Sequence, residues 1–421
     1  MQAGFSKVSI LPDQPTSLAG YGTSEPRIFD HVRDEIHSRA MAVSDGDTGV
    51  VWVQGDYLTP TERLAIAVRV RARKLGLPST VDIVLHAQHT HSSIGNFWNH
   101  PIAQKVCGPF RPEVFDFLAG RLAEAAVKAW EARQPAKMAV TQVDLPGLMT
   151  NRRRRDGPLD EMLTVMRFDT AKGKPLAAIV HFTGHPVIVS ERDFTAVSAD
   201  FPGRVMAALE KEYPTTIYID GAVGGLSPIW PAPEMDVDVH LSAMAEPIIA
   251  AAGPLIDGLK TRKEPVAFSR QTAVLPPPAA HPMPDAWAAL EIPLKPVLAW
   301  WVKLGQQGRL NVRRTDVTAL RLGETALVGQ PSDFGVGCGL QTRKAGKPVH
   351  LTALPCSHCD DYVGYMHPEA EMRIKPIKGD GFDEGFRYMT IYENLMSFYG
   401  RKAYVKIADA ERRALHAVAG V

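Results

Sequence analysis

The sequence predicts an α/β fold, and three observations carry that reading. Short apolar runs of strand character alternate with segments of helical periodicity. Hydrophobic residues make up 45% of the 421-residue chain and charged residues 22%, enough apolar material for a sizeable core. The 33 prolines and 34 glycines imply many loops rather than a helical bundle.

The elements follow in chain order. Val50–Val53, Val81–His86, Leu163–Phe168, Ala177–Phe182, Thr216–Ile219, Asp316–Leu322 and Val349–Leu354 read as strands. Each is short, rich in Val, Ile, Leu or Thr, and bounded by Gly, Pro or Asp. Pro60–Gly76 reads as a helix, with Leu64, Ile66, Val68 and Val70 on an Arg-rich background and a terminal Gly. Pro112–Arg133 is the clearest helix, because Val114, Phe117, Leu118, Leu122, Ala125 and Val127 recur at helical spacing. Phe201–Tyr213 and Leu241–Leu259 are two more. Residues 262–312 break the rhythm. The run LPPPAAHPMP fits neither helix nor central strand, and Trp287, Trp300 and Trp301 follow it. We read 262–312 as an irregular insertion in one large domain spanning 1–421.

Charge excludes several classes. Lys+Arg total 47 against 46 for Asp+Glu, which gives no electrostatic case for nucleic acid or an anionic membrane surface. No run of about 18 apolar residues is present, so no membrane span is expected. Four cysteines do not make a disulfide scaffold. The opening MQAGFSKVSILPDQP lacks an apolar run of signal-peptide length, so a cytoplasmic location is expected.

Three segments carry chemistry. In VDIVLHAQHTHSSIGNF an apolar strand ends in His86, His89 and His91. In extended backbone His89 and His91 share a face, which suits a metal, or one ligand beside one substrate contact. In AAIVHFTGHPVIVS, His181 and His185 share a face whether the segment is strand or helix. In IYIDGAVGGLSP a strand enters a Gly-rich loop and reaches Ser227, outside any G-x-S-x-G elbow. Cys356-Ser-His358-Cys359 has no second cysteine pair, which argues against structural zinc. The run Arg152–Arg155 reads by default as a solvated face.

At these residues the chain resembles the neutral/alkaline (non-lysosomal) ceramidase family over roughly residues 5–400. The matching motifs, in order, are Ala19-Gly-Tyr-Gly22, Val32–Ala40, Val53–Asp56, His89-Thr-His-Ser92, Asn151-Arg152, His185-Pro186, Ser198-Ala-Asp200, Ile219–Pro228, Asp361–Tyr365 and Tyr392-Glu393. Each is short, and their shared order carries the resemblance. It implies a layered α-β-β-α arrangement of mixed sheets flanked by helices, and hydrolysis of an N-acyl amide by water activated on one zinc ion. It further implies His89 and His185 as zinc ligands, His91 as a substrate-amide contact, and Arg152 and Ser227 facing the substrate. A tyrosine of the closing motif, either Tyr362 or Tyr365, would complete the metal shell, with the other among the catalytic groups. The family's glutamate ligand aligns with Gln330, a weaker partner for a cation, so Asp56, Asp220 or His181 are candidates to compensate. The expected partner is a small-molecule amide, ceramide or a smaller N-acyl or cyclic amide. An ester or lactone hydrolase, or a binding protein with a degenerate site, are the alternatives.

Overall fold

Alternation of side chains along the strands decides how the layers stack. The computed structural model describes the chain apart from residues 24, 47, 102, 230–234, 279–302, 304–312, 373–389, 391 and 421. Eight strands form the large sheet: β1 (Gln2–Ser9), β2 (His37–Asp45), β3 (Thr48–Gly55), β4 (Asp82–Ala87), β5 (Gln134–Asp144), β6 (Met162–Thr170), β7 (Pro175–Phe182) and β8 (Thr216–Asp220). Their spatial order is β8-β7-β6-β5-β1-β2-β3-β4. The edge pairs β3–β4 and β7–β8 are parallel, and the other pairs are antiparallel. A second sheet holds β9 (Val266–Val274), β10 (Arg314–Leu322), β11 (Thr325–Gly329) and β12 (Thr352–Cys356) in that order, with β11–β12 parallel.

One face of the large sheet meets the small sheet. Met41, Val43, Trp52, Val84, Met166, Phe168, Ile179 and Ile217 pack with Leu320, Leu322, Leu327 and Leu354 in a single buried cluster. The opposite face is covered by helices. Helices α1 (Glu62–Lys74) and α2 (Pro112–Glu131) bury Leu64, Val68, Leu118 and Leu122 against Val51, Val53, Ile83 and Leu85. Helices α3 (Asp200–Leu209) and α4 (Val237–Gly258) bury Val205, Leu241, Met244 and Ile248 against Val165, Val180 and Tyr218. The outer face of the small sheet lies under α5 (Val336–Gly346) and α6 (Ala403–Ala419). The order of layers is therefore helix, sheet, sheet, helix. At about 1.5–3 kcal/mol per fully buried Leu, Val, Ile or Phe, the apolar layers hold this arrangement.

Local signals explain the helix starts. The Thr61 side chain accepts from Leu64 N at 3.1 Å to cap α1, and Pro112 opens α2. Helix α4 is long and apolar enough to cross a membrane by length and composition alone, although its buried stripe rests on the large sheet.

Two expectations change. Residues 266–274 form a regular strand of the small sheet, so the irregular stretch does not begin at 262. Prolines 276–278 end that strand instead of excluding it. Trp287, Trp300 and Trp301 lie outside the described residues. The arginine run is not uniformly solvated either, since Arg153 is buried and Arg152 nearly so.

Candidate active site

Parallel strands deliver the functional side chains, because their C-terminal ends open together at one edge of the layers. His89 follows β4, His185 follows β7, Asp220 ends β8, Asp333 follows β11 and His358 follows β12. His89 and His358 both adopt left-handed backbone, with φ of 68° and 51°. Non-glycine residues occupy that region at a cost, and such strain collects at functional sites.

The imidazoles converge. His91 Nε2 lies 3.2 Å from His89 Nε2 and 3.4 Å from His185 Nε2. The Asp333 carboxylate is 3.6 Å from His89 Nε2. Hydrogen bonds fix two tautomers. His89 Nδ1 donates to Leu58 O at 2.8 Å and His185 Nδ1 donates to Leu226 O at 2.9 Å. Each ring is left with an Nε2 lone pair directed at the cluster. His91 packs edge-on to Tyr21 and against Gly20, where φ is +122° and an added Cβ would sit 2.6 Å from His91 Nδ1.

Behind the cluster runs a buried polar chain. Asp220 accepts from His86 Nε2 at 2.5 Å and from His358 Nδ1 at 3.0 Å, and His358 Nε2 stands 3.9 Å from Asp333. The His358 ring stacks on His89 at 3.8 Å with 8° between the planes.

A second ion network anchors the arginines. Buried Glu393 accepts from Arg152 and Arg153, each at 2.7 Å, and lies 2.9 Å from His367. Arg152 Nη2 in turn donates to the Tyr365 hydroxyl at 3.0 Å.

Burial and charge set the protonation states. Burial, with the charge of His358, pushes His89 down to about 3. Burial and Arg152 push His185 down to about 4, and burial with its two imidazole neighbours takes His91 well below its ordinary value. Burial also opposes charge on His358, yet the Asp220 and Asp333 carboxylates raise it to about 9. For Asp333 burial acts upward, and the flanking His89 and His358 still hold it far below the carboxylate range. Burial and Asp333 drive the Tyr365 phenol well above its usual value, so it stays protonated.

The residues singled out in the sequence divide. His89, His91, His185, Arg152 and Tyr365 meet at one place. Tyr362 lies beside it, its ring parallel to His358 at 6.3 Å. Ser227 is half-buried on the short strand Leu226–Pro228, and its hydroxyl makes no hydrogen bond to the imidazoles among the described residues. The Gln330 side chain turns away, donating to Glu411 at 2.7 Å. The three proposed substitutes for it are committed elsewhere. Asp56 binds Arg39, Asp220 holds two histidines, and His181 Nε2 donates to Pro355 O at 2.7 Å. The carboxylate at the cluster is Asp333, which the sequence reading missed, and His358 enters that reading only within the cysteine motif 356–359. Their one visible signal is position, since each follows a short apolar run by two to four residues. All four cysteines are buried and free.

A cavity of about 570 Å³ opens onto the cluster. His89, His91, Asp333 and Tyr365 line its floor, and Phe97, Trp98, Tyr362, Tyr392, Phe398 and Tyr399 give it aromatic walls.

The model of the family described as neutral/alkaline non-lysosomal ceramidase, N-terminal, matches residues 12–228. The chain belongs to this family. Among curated proteins it is similar to neutral ceramidase A of Dictyostelium discoideum, 25% identical over 191 residues, covering 41% of this chain and 27% of that protein. Neutral ceramidase B of the same organism is 26% identical over 144 residues, or 31% and 20% of the two chains. The matches thus span about a quarter of the length of these relatives. The crystal structure of neutral ceramidase from Pseudomonas aeruginosa superposes with a TM-score of 0.78 at 16% identity, covering all of this chain and 74% of the other. A structure titled ceramidase complexed with C2 gives the same score and identity over 99% of this chain and 74% of that one. These likenesses establish the layered fold, and membership of the family supports a hydrolase.

Proposed function

We propose that this chain is a metal-dependent hydrolase of N-acyl amides, with one divalent ion, zinc by family, held by His89 and His185. The observation that carries the proposal is the convergence of the His89 and His185 lone pairs about His91, with His89 and His91 lining an aromatic-walled cavity. The donor chemistry fits such an ion. Both ring tautomers are set by carbonyl acceptors, and the Asp333 carboxylate, whose Oδ2 lies 3.6 Å from His89 Nε2, keeps its other oxygen buried without a hydrogen-bond partner. When bound, the ion supplies a Lewis acid and lowers the pKa of a bound water from 15.7 to about 7.

The chain's own groups do the rest. Aromatic walls bind an apolar acyl group and exclude water around it. Tyr365 keeps its proton, and its oxygen already accepts from Arg152, so its O–H is directed to the substrate carbonyl oxygen as charge develops there. Neutral His91 takes a proton at Nε2 from the attacking water and returns it to the nitrogen of the leaving amine as the C–N bond breaks. Arg152 holds the tyrosine, and Glu393 holds Arg152. The substrate class is an amide with an apolar acyl chain, a ceramide-like lipid or a smaller N-acyl compound.

Elemental analysis paired with release of free amine from a panel of N-acyl compounds tests this. His89→Ala and His185→Ala lose the metal and turnover together, and Tyr365→Phe keeps the metal while its turnover falls. Full metal content in both histidine variants would refute the assignment.

A further inference from the structure

We propose that the mouth of the cavity is an anion subsite, in which Arg63 and Arg314 receive a carboxylate that an N-acyl substrate carries at the end remote from its scissile amide. The inference rests on the hydrolase reading above and asks which N-acyl compounds the cavity selects. Depth sorts the lining. His89, His91 and Asp333 on the floor are buried, whereas Glu62, Arg63 and Arg314 are exposed at the rim. Trp98, Tyr362, Tyr392 and Phe398, all half-buried, stand between. A ligand with its amide on the floor therefore passes its apolar part between aromatic rings and ends among charged groups. At about 570 Å³ the cavity has the size that encloses one small molecule.

The rim charges are unequal. Its two carboxylates are both held by Arg313, which donates to Glu62 at 2.6 Å and to Asp361. Asp361 also accepts from the Thr315 hydroxyl at 2.9 Å and from the backbone N–H groups of Glu62 and Tyr362 at 3.2 and 2.8 Å. Arg63 and Arg314 have no carboxylate partner among the described residues. Three arginines against two carboxylates leave one positive charge in excess, which matches a monoanion. His100, which also lines the cavity, adds none, because burial and the charge of Arg313 lower it and keep the ring neutral at pH 7. Arg63 is held in place as well. Its guanidinium lies over the rings of Phe110 and Phe115, 5.3 and 5.1 Å from their centroids. A guanidinium stacked by its face keeps its N–H edge for a carboxylate. A hydrocarbon tail reaching this rim would meet two hydrated cations, whereas a carboxylate there gains charge-assisted hydrogen bonds.

The test uses the full-length chain and paired N-acyl compounds over a range of chain lengths. In one arm the carboxylate ends the acyl half, in the other it ends the amine half, and each acid is compared with its terminal alcohol. In one arm kcat/KM should favour the acid by about tenfold, which assigns the half that points outwards. That preference should shrink with added NaCl, since exposed charges are screened. Arg63→Gln combined with Arg314→Gln should abolish it, and Arg63→Lys combined with Arg314→Lys should retain most of it. Arg314→Glu should turn it towards an amine-terminated analogue. Calorimetric titration with the same compounds reads binding where none is cleaved. Equal kcat/KM and equal binding of acid and alcohol in both arms, or a preference undiminished in the double Gln variant, would overturn the inference and leave the hydrolase reading standing. Failure of the zinc-loaded chain to cleave any of the compounds would instead overturn the hydrolase reading, while calorimetry still decides the subsite.

Discussion

Replacing Glu393 by Gln removes one charge and almost no volume from the network behind the site. Glu393 is fully buried and faces Arg152 and Arg153 at 2.7 Å each, with His367 at 2.9 Å. Among the described residues Arg152 has no other carboxylate bonded to it. The substitution therefore leaves two guanidinium groups, both largely buried, without their counter-ion. Breaking such a pair costs about 3–5 kcal/mol, well beyond the ~0–1 kcal/mol of an exposed pair. Denaturant unfolding at neutral pH should show that loss, and Asp409→Asn, which breaks the exposed contacts with Arg412 and Arg413, should stay within about 1 kcal/mol. The sign with pH follows from the charge. The two arginines hold the Glu393 carboxyl well below 4.5 despite burial, so its contribution is fully present above 4.5 and is lost as the pH falls towards the depressed value. The gap between parent and variant should narrow in acid. Turnover should fall as well, because Arg152 no longer presents Tyr365. An unfolding curve within 1 kcal/mol of the parent at pH 7 would refute the reasoning.

Two further outcomes follow from buried groups. Burial raises Glu411 to about 7, although Gln330 and Thr342 donate to it. The carboxyl therefore favours the fold fully below pH 4.5 and costs about 3 kcal/mol once ionised above 7. Glu411→Gln should be the more stable protein at pH 8 and lose that advantage by pH 4.5 in thermal scans, and an equal gap at both pH values would contradict this. Gly20→Ala places a Cβ 2.6 Å from His91 Nδ1 at a backbone angle that side chains avoid, so it should destabilise by about 1–3 kcal/mol and reduce amide turnover. Unaltered kinetics and unfolding in that variant would show that His91 needs no such support.

Much of this fold can be read from the residues, and the exceptions have physical causes. Six of the seven strand candidates and the four helices fall on observed elements because each carries an apolar run or stripe, whereas Val349–Leu354 meets its strand only from Thr352, since Val349 closes a 3-10 turn. Strands β1, β2 and β5 escape that reading because Ser, Lys, Arg and Gln alternate through them, as in QAGFSKVS. Part of that polarity is buried and paired, Arg39 on Asp56 and Glu210 being the clearest instance. His89 and His185 stand out because polar side chains directly follow buried strands. Asp333 does not, because β11 is only five residues long and Gln330, nearer its end, has the more ligand-like place in the sequence although its side chain points to Glu411. Glu393 and Arg153 show why charge runs mislead, since a buried counter-ion 240 residues away cannot be seen from local composition.

The most direct measurement is an anomalous difference map from crystals of the full chain grown with zinc, collected at the zinc edge. The account predicts one peak between Nε2 of His89 and Nε2 of His185. Zinc bound at full stoichiometry with its peak at Cys356 and Cys359, or anywhere outside the His89–His185 cleft, would contradict it.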